Sequence, residues 1–244
     1  MLMTIYKRAA SVLMKKPMKL WGISLLSIVL SAVLSILCGT AIPLLGIVVS
    51  LLISTSMTII YLKGYRGEEV EVTQLFSCFK DWNTIKRVAL GMGWMSLWIF
   101  LWALIPIVGL IFAVIRTYQY RLTPYILVFE PDVPVTEAIK ISSQKTQGYK
   151  LQMWLADFVY VIICFVVGLI LGLLSAIPFL GIIFALVSFV FIVAVAVLGP
   201  LFVGLVQAAF YEEINNNVTK TCSGCGNILT PNAAFCQNCG KPVE

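Results

Sequence analysis

Long apolar runs alternate with short polar segments along this chain of 244 residues. An α-helix of about 20 apolar residues crosses a hydrocarbon core of about 30 Å, and six runs approach or exceed that length. They cover residues 20–40, 42–62, 88–105, 107–129, 151–176 and 180–211. The pattern predicts an all-α polytopic membrane protein with six transmembrane helices.

The apolar runs are joined in pairs by one recurring motif, Ile-Pro-x-x-Gly. It occurs as IPLLG at 42–46, IPIVG at 105–109 and IPFLG at 177–181. Proline is expected to end the first helix, glycine to supply a permissive backbone, and the next helix to restart within a few residues. The motif therefore predicts three tight helical hairpins.

A polar or amphipathic segment with a basic end precedes each hairpin: TIYKRAASVLMKKPMK, VTQLFSCFKDWNTIKR and VTEAIKISSQKTQGYK. In the third, Thr136 is expected to cap a helix that carries its apolar residues on one side. Residues 1–213 are thus predicted to form a membrane domain of three similar units, at about 4–66, 72–131 and 134–213. Internal duplication would explain the similarity. The alternative is that any membrane hairpin favours proline and glycine at its turn.

Composition and charge distribution support a membrane protein and predict its orientation. The chain is 60% hydrophobic and 11% charged, with a mean hydropathy of +0.99. Of the 17 Lys and Arg, all except Arg116 and Arg121 lie in the termini or in segments joining hairpins. The positive-inside rule then places both termini in the cytoplasm, with the basic segments near anionic lipid of the inner leaflet. The first run is too long for a signal peptide and is expected to remain as a span.

Three ionisable residues fall within predicted spans and define a candidate intramembrane polar site: Arg116, Arg121 and Asp157, together with Tyr120. Helical rise places Arg121 about 13 Å and Asp157 about 10 Å from the cytoplasmic ends of their helices, so the two are expected to pair. Arg116 is expected near the middle of the membrane, on another face that it shares with Tyr120. Pro124 predicts a kink nearby. Three interpretations remain open: a structural ion pair, an arginine that extends to the headgroups, or a pathway for a substrate or ion.

The last residues form a separate polar tail with four cysteines. Cys222, Cys225, Cys236 and Cys239 have C-x2-C-x10-C-x2-C spacing, and glycine follows each pair. This spacing predicts a zinc ribbon at 222–240, joined by a linker at 214–221, that holds one structural Zn²⁺. A redox switch is the alternative. The few tail charges argue against nucleic-acid binding and favour docking on a protein, either a cytoplasmic partner or a membrane protein.

Three stretches resemble a family of bacterial multi-pass membrane proteins, known mainly from Gram-positive genomes, that carries a domain of unknown function. The stretches are LWALIPIVGLIFAVIRTYQYRLTPYILVFEPD, EAIKISSQKTQGYK and GPLFVGLVQAAFYEE. The family pattern of a tryptophan, a Pro-Gly turn, a basic residue, tyrosines and a Pro-Tyr pair matches Trp102, 106–109, Arg116, Tyr118, Tyr120 and 124–125. The tail is similar to zinc ribbons appended to many bacterial membrane proteins. The resemblance implies a bacterial plasma membrane and no activity.

The residue inventory argues against catalysis. There is no histidine, the predicted zinc site is closed by four thiolates, and one carboxylate lies within the predicted spans. We therefore expect a non-catalytic membrane scaffold or accessory protein whose zinc ribbon mediates a protein interaction. The alternative is a transporter of a small molecule, an ion or a lipid that uses the polar stripe of the fourth helix.

Overall fold

The computed structural model describes residues 2–15, 17–41, 43–177 and 180–217, and in the tail residues 224–225, 235–236 and 238–242. This part of the chain is helical and forms no strand, which confirms the predicted all-α class for the described residues. A 3₁₀ segment, Val72–Phe79, separates the third and fourth helices. The α-helices are α1 Leu2–Lys15, α2 Pro17–Ala41, α3 Pro43–Arg66, α4 Trp82–Ala103, α5 Val108–Gln119, α6 Thr123–Phe129, α7 Val135–Lys145, α8 Lys150–Ser175 and α9 Gly181–Asn217.

Three of the described helices are long and apolar enough to span a membrane, over Leu45–Arg66, Lys150–Ser175 and Gly181–Asn216. A fourth span results if Met3–Met14 and Lys19–Leu34, which meet at 93°, are counted together. Such helices are those of a membrane protein. By the same measure α4 does not qualify, because Lys86 and Arg87 near its start lower its hydropathy, and α5 is too short.

Two of the three hairpin glycines, Gly109 and Gly181, act differently from the sequence-based expectation. In the second turn the positive φ belongs to Ile107, at 62°, and Gly109 already lies within α5. A Cβ on Gly109 would lie 2.5 Å from the Cβ of Ile105, and one on Gly181 would collide with the Ser175 carbonyl. These glycines therefore allow the second helix to start against the end of the first, and a left-handed backbone is not their role.

The fourth predicted run, 107–129, is divided into two helices. α5 ends at Gln119 and α6 begins at Thr123, with Pro124 in the first turn of α6. Proline lacks an N–H and is accommodated at a helix start, so the kink expected at Pro124 takes the form of a complete break at 120–122.

The hairpins contact one another in cyclic order. α3 packs on α4, α5 packs on α8, and α9 packs on α2. The segments that precede the hairpins follow the same order: the 3₁₀ segment packs on α3, α7 packs on α6, and α1 packs on α9. Each unit thus rests on the second helix of the unit before it.

The buried core lies at the end of the bundle opposite the hairpin turns. Its members include Ile60 of α3, Ile126 of α6 and Leu205 of α9, all fully buried. Large apolar side chains near the turns, such as Leu173 and Ile182, are exposed. In a membrane protein such exposed apolar helix surface faces lipid.

The segments before the hairpins each bury one side. Ile5 and Ala9 are buried in α1, and Leu75 and Cys78 in the 3₁₀ segment.

The cap predicted for α7 at Thr136 is wrong. The helix begins at Val135, Pro134 occupies the capping position, and no side chain caps it. Thr136 therefore lies one residue inside the helix.

The C-terminal end of the membrane domain lies further along the chain than the sequence suggests. α9 continues to Asn217, so residues 214–217 of the segment predicted as a linker are helical, and Ile214 is fully buried. The burial of Ile214 against the core explains why the helix persists after the apolar run has ended. Cys222 lies outside the described residues.

Candidate functional site

Arg121 and Asp157 form a bidentate ion pair that joins the α5–α6 break to α8. Arg121 Nη1 lies 2.5 Å from Asp157 Oδ2, and Nη2 lies 3.2 Å from Oδ1. The Tyr118 hydroxyl donates to Asp157 Oδ2 at 3.0 Å, and the Tyr118 ring lies 5.0 Å from the guanidinium. The two side chains are only 14% and 26% exposed. The structure thus contains the pair expected from helical depth, and the charges of Arg121 and Asp157 neutralise one another.

Two hydroxyl groups at the end of α7, those of Ser142 and of the capping residue Thr146, lie against the backbone at the α5–α6 break. Ser142 Oγ accepts from the Leu122 N–H at 3.2 Å and donates to the Gln119 carbonyl at 2.8 Å. The Thr146 hydroxyl lies 2.9 Å from the Ser142 carbonyl and 3.2 Å from the Gln119 carbonyl, so its one proton is shared between them. Ser142 and Thr146 are both fully buried. Side chains of a neighbouring helix therefore satisfy backbone groups that the break would leave unpaired.

Arg87 of α4 plays a similar part at the far end of α6. Its Nε donates to the Leu127 carbonyl at 2.9 Å, and its Nη2 donates to the Glu130 carbonyl at 2.7 Å. A cation at the carbonyl end of a helix is favoured by the helix dipole. The Glu130 carboxylate in turn pairs with Lys145 Nζ at 2.9 Å. α6 is thus held at its start by Ser142 and at its end by Arg87.

Sequence reasoning missed Ser142, Thr146 and Arg87. The α7 residues could have been found from their spacing, because Ala138, Ser142 and Thr146 recur every four residues and share one helix face. Small residues at that spacing are typical of close helix packing in membranes. Arg87 carries no such local signal, since its acceptors are carbonyls 40 residues or more along the chain.

Arg116 stands apart from the neutral pair. Its Nη1 donates to Gln119 Oε1 at 2.8 Å, and its guanidinium lies 5.9 Å from the Trp102 ring and 6.0 Å from the Tyr120 ring. Tyr120 is buried, and its ring faces Arg116 as expected for residues on one side of a helix. The polar residues predicted in the fourth run therefore fall into two groups. Arg121 pairs with Asp157, whereas Arg116 has no ion-pair partner among the described residues.

Space beside the ion pair is small. A cavity of about 10 Å³ is lined by Arg121, Leu122, Met153, Gln207 and Phe210. That volume is about the room taken by one water molecule. The geometry around Arg121 is thus that of a packed helix interface.

Three of the four tail cysteines converge on one point. The sulfur atoms of Cys225, Cys236 and Cys239 all lie within 4.8 Å of one another, and those of Cys225 and Cys236 are 3.6 Å apart. Four sulfurs around a tetrahedral metal with metal–sulfur bonds of about 2.3 Å are separated by about 3.8 Å. The three thiols therefore fit a metal site, as the sequence predicts.

The backbone around Cys236 forms the tight turn that such a site requires. The Gly240 N–H donates to the Cys236 carbonyl at 2.8 Å, and the Cys236 N–H donates to the Lys241 carbonyl at 2.8 Å. Gly240 has a φ of 71°, a value that glycine adopts without strain. Here the glycine after the cysteine pair has the role predicted from the sequence.

No protein-family model matches this chain, and no curated protein or solved structure matches it.

Proposed function

We propose that this protein is a non-catalytic scaffold of the bacterial plasma membrane, whose cytoplasmic zinc ribbon recruits a protein partner. The observation that carries the proposal is the convergence of the tail thiols in Cys225, Cys236 and Cys239, outside the helical body. A metal-stabilised module with few charges is suited to binding a protein surface. The neutralised Arg121–Asp157 pair and its small cavity favour a structural membrane domain over a conduit.

The membrane domain on this proposal has six spans in three related units. In the ring of contacts, the helices α4 and α5–α6 of the second unit occupy the same positions as α2 and α3 of the first unit. They do so although α4 is less apolar than the other long helices and α5 is shorter. The chain supports a common origin, because Val72-Thr73 follows Pro43 by the same number of residues as Val135-Thr136 follows Pro106. The units would then be duplicated copies, one of which broke its second helix.

Charge distribution supports cytoplasmic termini, as the sequence analysis expects. Substituted-cysteine labelling tests this orientation. A cysteine at Leu104, next to the second turn, is expected to react with a membrane-impermeant maleimide in intact cells, whereas one at Lys140 on α7 reacts only after lysis. Labelling of the Lys140 position in intact cells would overturn the proposed topology.

The tail site would hold one Zn²⁺ through Cys225, Cys236, Cys239 and the predicted fourth ligand Cys222. Four thiolates fill a tetrahedral shell, so the ion would stabilise the fold of the ribbon and leave no position for a substrate. A cytoplasmic location would keep the thiols reduced and able to bind metal.

The experiment that tests the scaffold role compares partner recovery with and without a metal-competent tail. Full-length protein is crosslinked in membranes and purified alongside Cys236→Ser, with Cys164→Ser in α8 as the matched control. We expect specific partners with wild type and control, and their loss with Cys236→Ser at equal membrane abundance. Equal recovery from all three proteins would overturn recruitment by the ribbon.

Transport is the second candidate, and the break between α5 and α6 favours it. Discontinuous helices form substrate sites in many transporters. Solute or lipid flux in proteoliposomes that survives deletion of residues 218–244 but is lost with Arg116→Gln would favour transport over the scaffold.

A further inference from the structure

Two cations lie at the contact between α5 and α8. Arg116 lies in the last turn of α5, and Lys150 is the first residue of α8. The Gln119 carbonyl, three residues after Arg116, lies 3.2 Å from the hydroxyl of Thr146, four residues before Lys150, so the packing of α5 on α8 brings both cations into one region. Both side chains are half-buried. Like charges held together in a partly buried place repel, and an anion between them relieves that repulsion.

No carboxylate compensates these cations among the residues that the structure describes. The ion pairs there involve Arg66, Arg121 and Lys145, and neither Arg116 nor Lys150 takes part in one. Asp157 of α8 accepts hydrogen bonds from Arg121 and Tyr118, and its charge is neutralised by Arg121. The carbonyl end of α5 offsets part of the Arg116 charge but does not supply a counter-ion for two cations.

The geometry of Arg116 leaves most of its donors available. Within the described residues only Nη1 donates a hydrogen bond, to Gln119. The guanidinium lies between the rings of Trp102 and Tyr120, which orient it without using its N–H groups. A planar guanidinium with open N–H groups is suited to bind two oxygens of a phosphate.

The surroundings connect this place with the lipid-facing surface. Ile115 precedes Arg116 and Leu151 follows Lys150, and both apolar side chains are exposed. Lys150 begins a helix long enough to span the membrane, so it marks the level at which a span meets the headgroups. Basic pockets between helices at the cytoplasmic side bind anionic headgroups.

We propose that Arg116 and Lys150, with Gln119, Trp102 and Tyr120 around them, form a binding site for a phosphate group. The source is a phospholipid of the inner leaflet or free inorganic phosphate, and the test distinguishes them. The inference rests on the proposed membrane placement of α5 and α8. It does not depend on what the tail recruits, so loss of partner recovery and loss of phosphate binding are separate results.

The test is native mass spectrometry of the full-length protein in mild detergent, titrated with phosphatidylglycerol and, separately, with inorganic phosphate. The variant is Arg116→Gln with Lys150→Gln. The matched control, Lys80→Gln with Lys140→Gln, removes the same charge from exposed positions. Because one cation near a membrane contributes about fivefold to anionic lipid affinity, we expect at least that loss in the variant and a smaller loss in the control.

Two further measurements complete the test. Arg116→Lys keeps the charge and is expected to retain most phosphatidylglycerol binding, and Lys150→Gln alone serves if the double variant does not fold. Binding of inorganic phosphate that depends on Arg116, without binding of phosphatidylglycerol, would assign the site to the free anion. Equal affinity of variant and control for both ligands would overturn the proposal.

Discussion

Replacing Ser142 by alanine tests whether α7 holds the break between α5 and α6. The Ser142 hydroxyl is the described side chain that bonds to both ends of the break, accepting from the Leu122 N–H and donating to the Gln119 carbonyl. It is fully buried, so water does not replace it without entering the core. Ser142→Ala removes one oxygen and leaves the helix backbone of α7 unchanged.

The two bonds are not equally costly to lose. The Leu122 N–H would be left without its hydroxyl acceptor, and an unsatisfied buried donor costs about 1–3 kcal/mol. The Gln119 carbonyl would keep the Thr146 hydroxyl within 3.2 Å, and this hydroxyl can turn to it from the Ser142 carbonyl at 2.9 Å, so the loss at Gln119 is smaller. We therefore expect Ser142→Ala to lower the free energy of unfolding by about 2 kcal/mol.

Thr146→Val alone should cost about 1 kcal/mol or less, because Ser142 still serves the Gln119 carbonyl. The double variant removes both donors from that carbonyl. Its cost should therefore exceed the sum of the single variants by about 1 kcal/mol, as expected for residues that share a partner.

The assay is reversible unfolding of the purified protein in mixed micelles, followed by tryptophan fluorescence. Ser143→Ala is the matched control, since Ser143 is the adjacent serine of α7 and is only half-buried. If Ser142→Ala unfolds at the same denaturant level as Ser143→Ala, or if the double variant is simply additive, α7 does not hold the break.

Three other perturbations follow from the described contacts. Asp157→Asn leaves Arg121 facing a neutral amide and should destabilise the fold by about 3 kcal/mol in the same unfolding assay. Exchanging the two charged residues should restore much of that stability, and no recovery relative to either single variant would contradict a stabilising pair. Elemental analysis should find one metal ion per wild-type chain and a large loss in Cys236→Ser but not in Cys164→Ser, and equal metal in both would contradict the tail site. Burial raises the pKa of the Cys78 thiol more than hydrogen bonds from neighbouring serines lower it, so its thiolate fraction at pH 8 is below that of an ordinary cysteine. Cys78 should therefore react with a maleimide only after unfolding, and rapid labelling of the folded protein would refute this.

The pairing of apolar runs into hairpins could be predicted because it depends on local signals. The helix ends beside Pro43, Pro106 and Gly181 agree with the prediction within a few residues. Proline and glycine act through their own backbone or through neighbours a few residues away, and such effects can be read from one short window. The role of Gly109 could not be read in this way, because the contact that requires it exists only when α4 and α5 meet.

The Arg121–Asp157 pair was predictable for a different reason. Unpaired charges are costly inside a membrane, and helical rise alone placed these two at similar depth. Arg116 shows where that reasoning ends. Its separation from the pair was expected from the helix face. A depth near the middle of the membrane does not fit its place beside Lys150, the first residue of α8, which lies 34 positions away and is brought near by the packing of α5 on α8.

The break between α5 and α6 could be predicted only in part from the sequence. Polar residues and Pro124 indicated a weak point in the fourth run, yet an unsatisfied break in a membrane would cost several kcal/mol. Such a break persists only if another element supplies donors and acceptors to its backbone, and α7 does so with Ser142 and Thr146. Since the polar face of α7 reads as ordinary solvent-facing sequence, its role becomes visible only when α7 is seen packed beside Gln119. A weak point within one predicted span should therefore be read together with any small polar residues that recur every four positions in a neighbouring amphipathic segment.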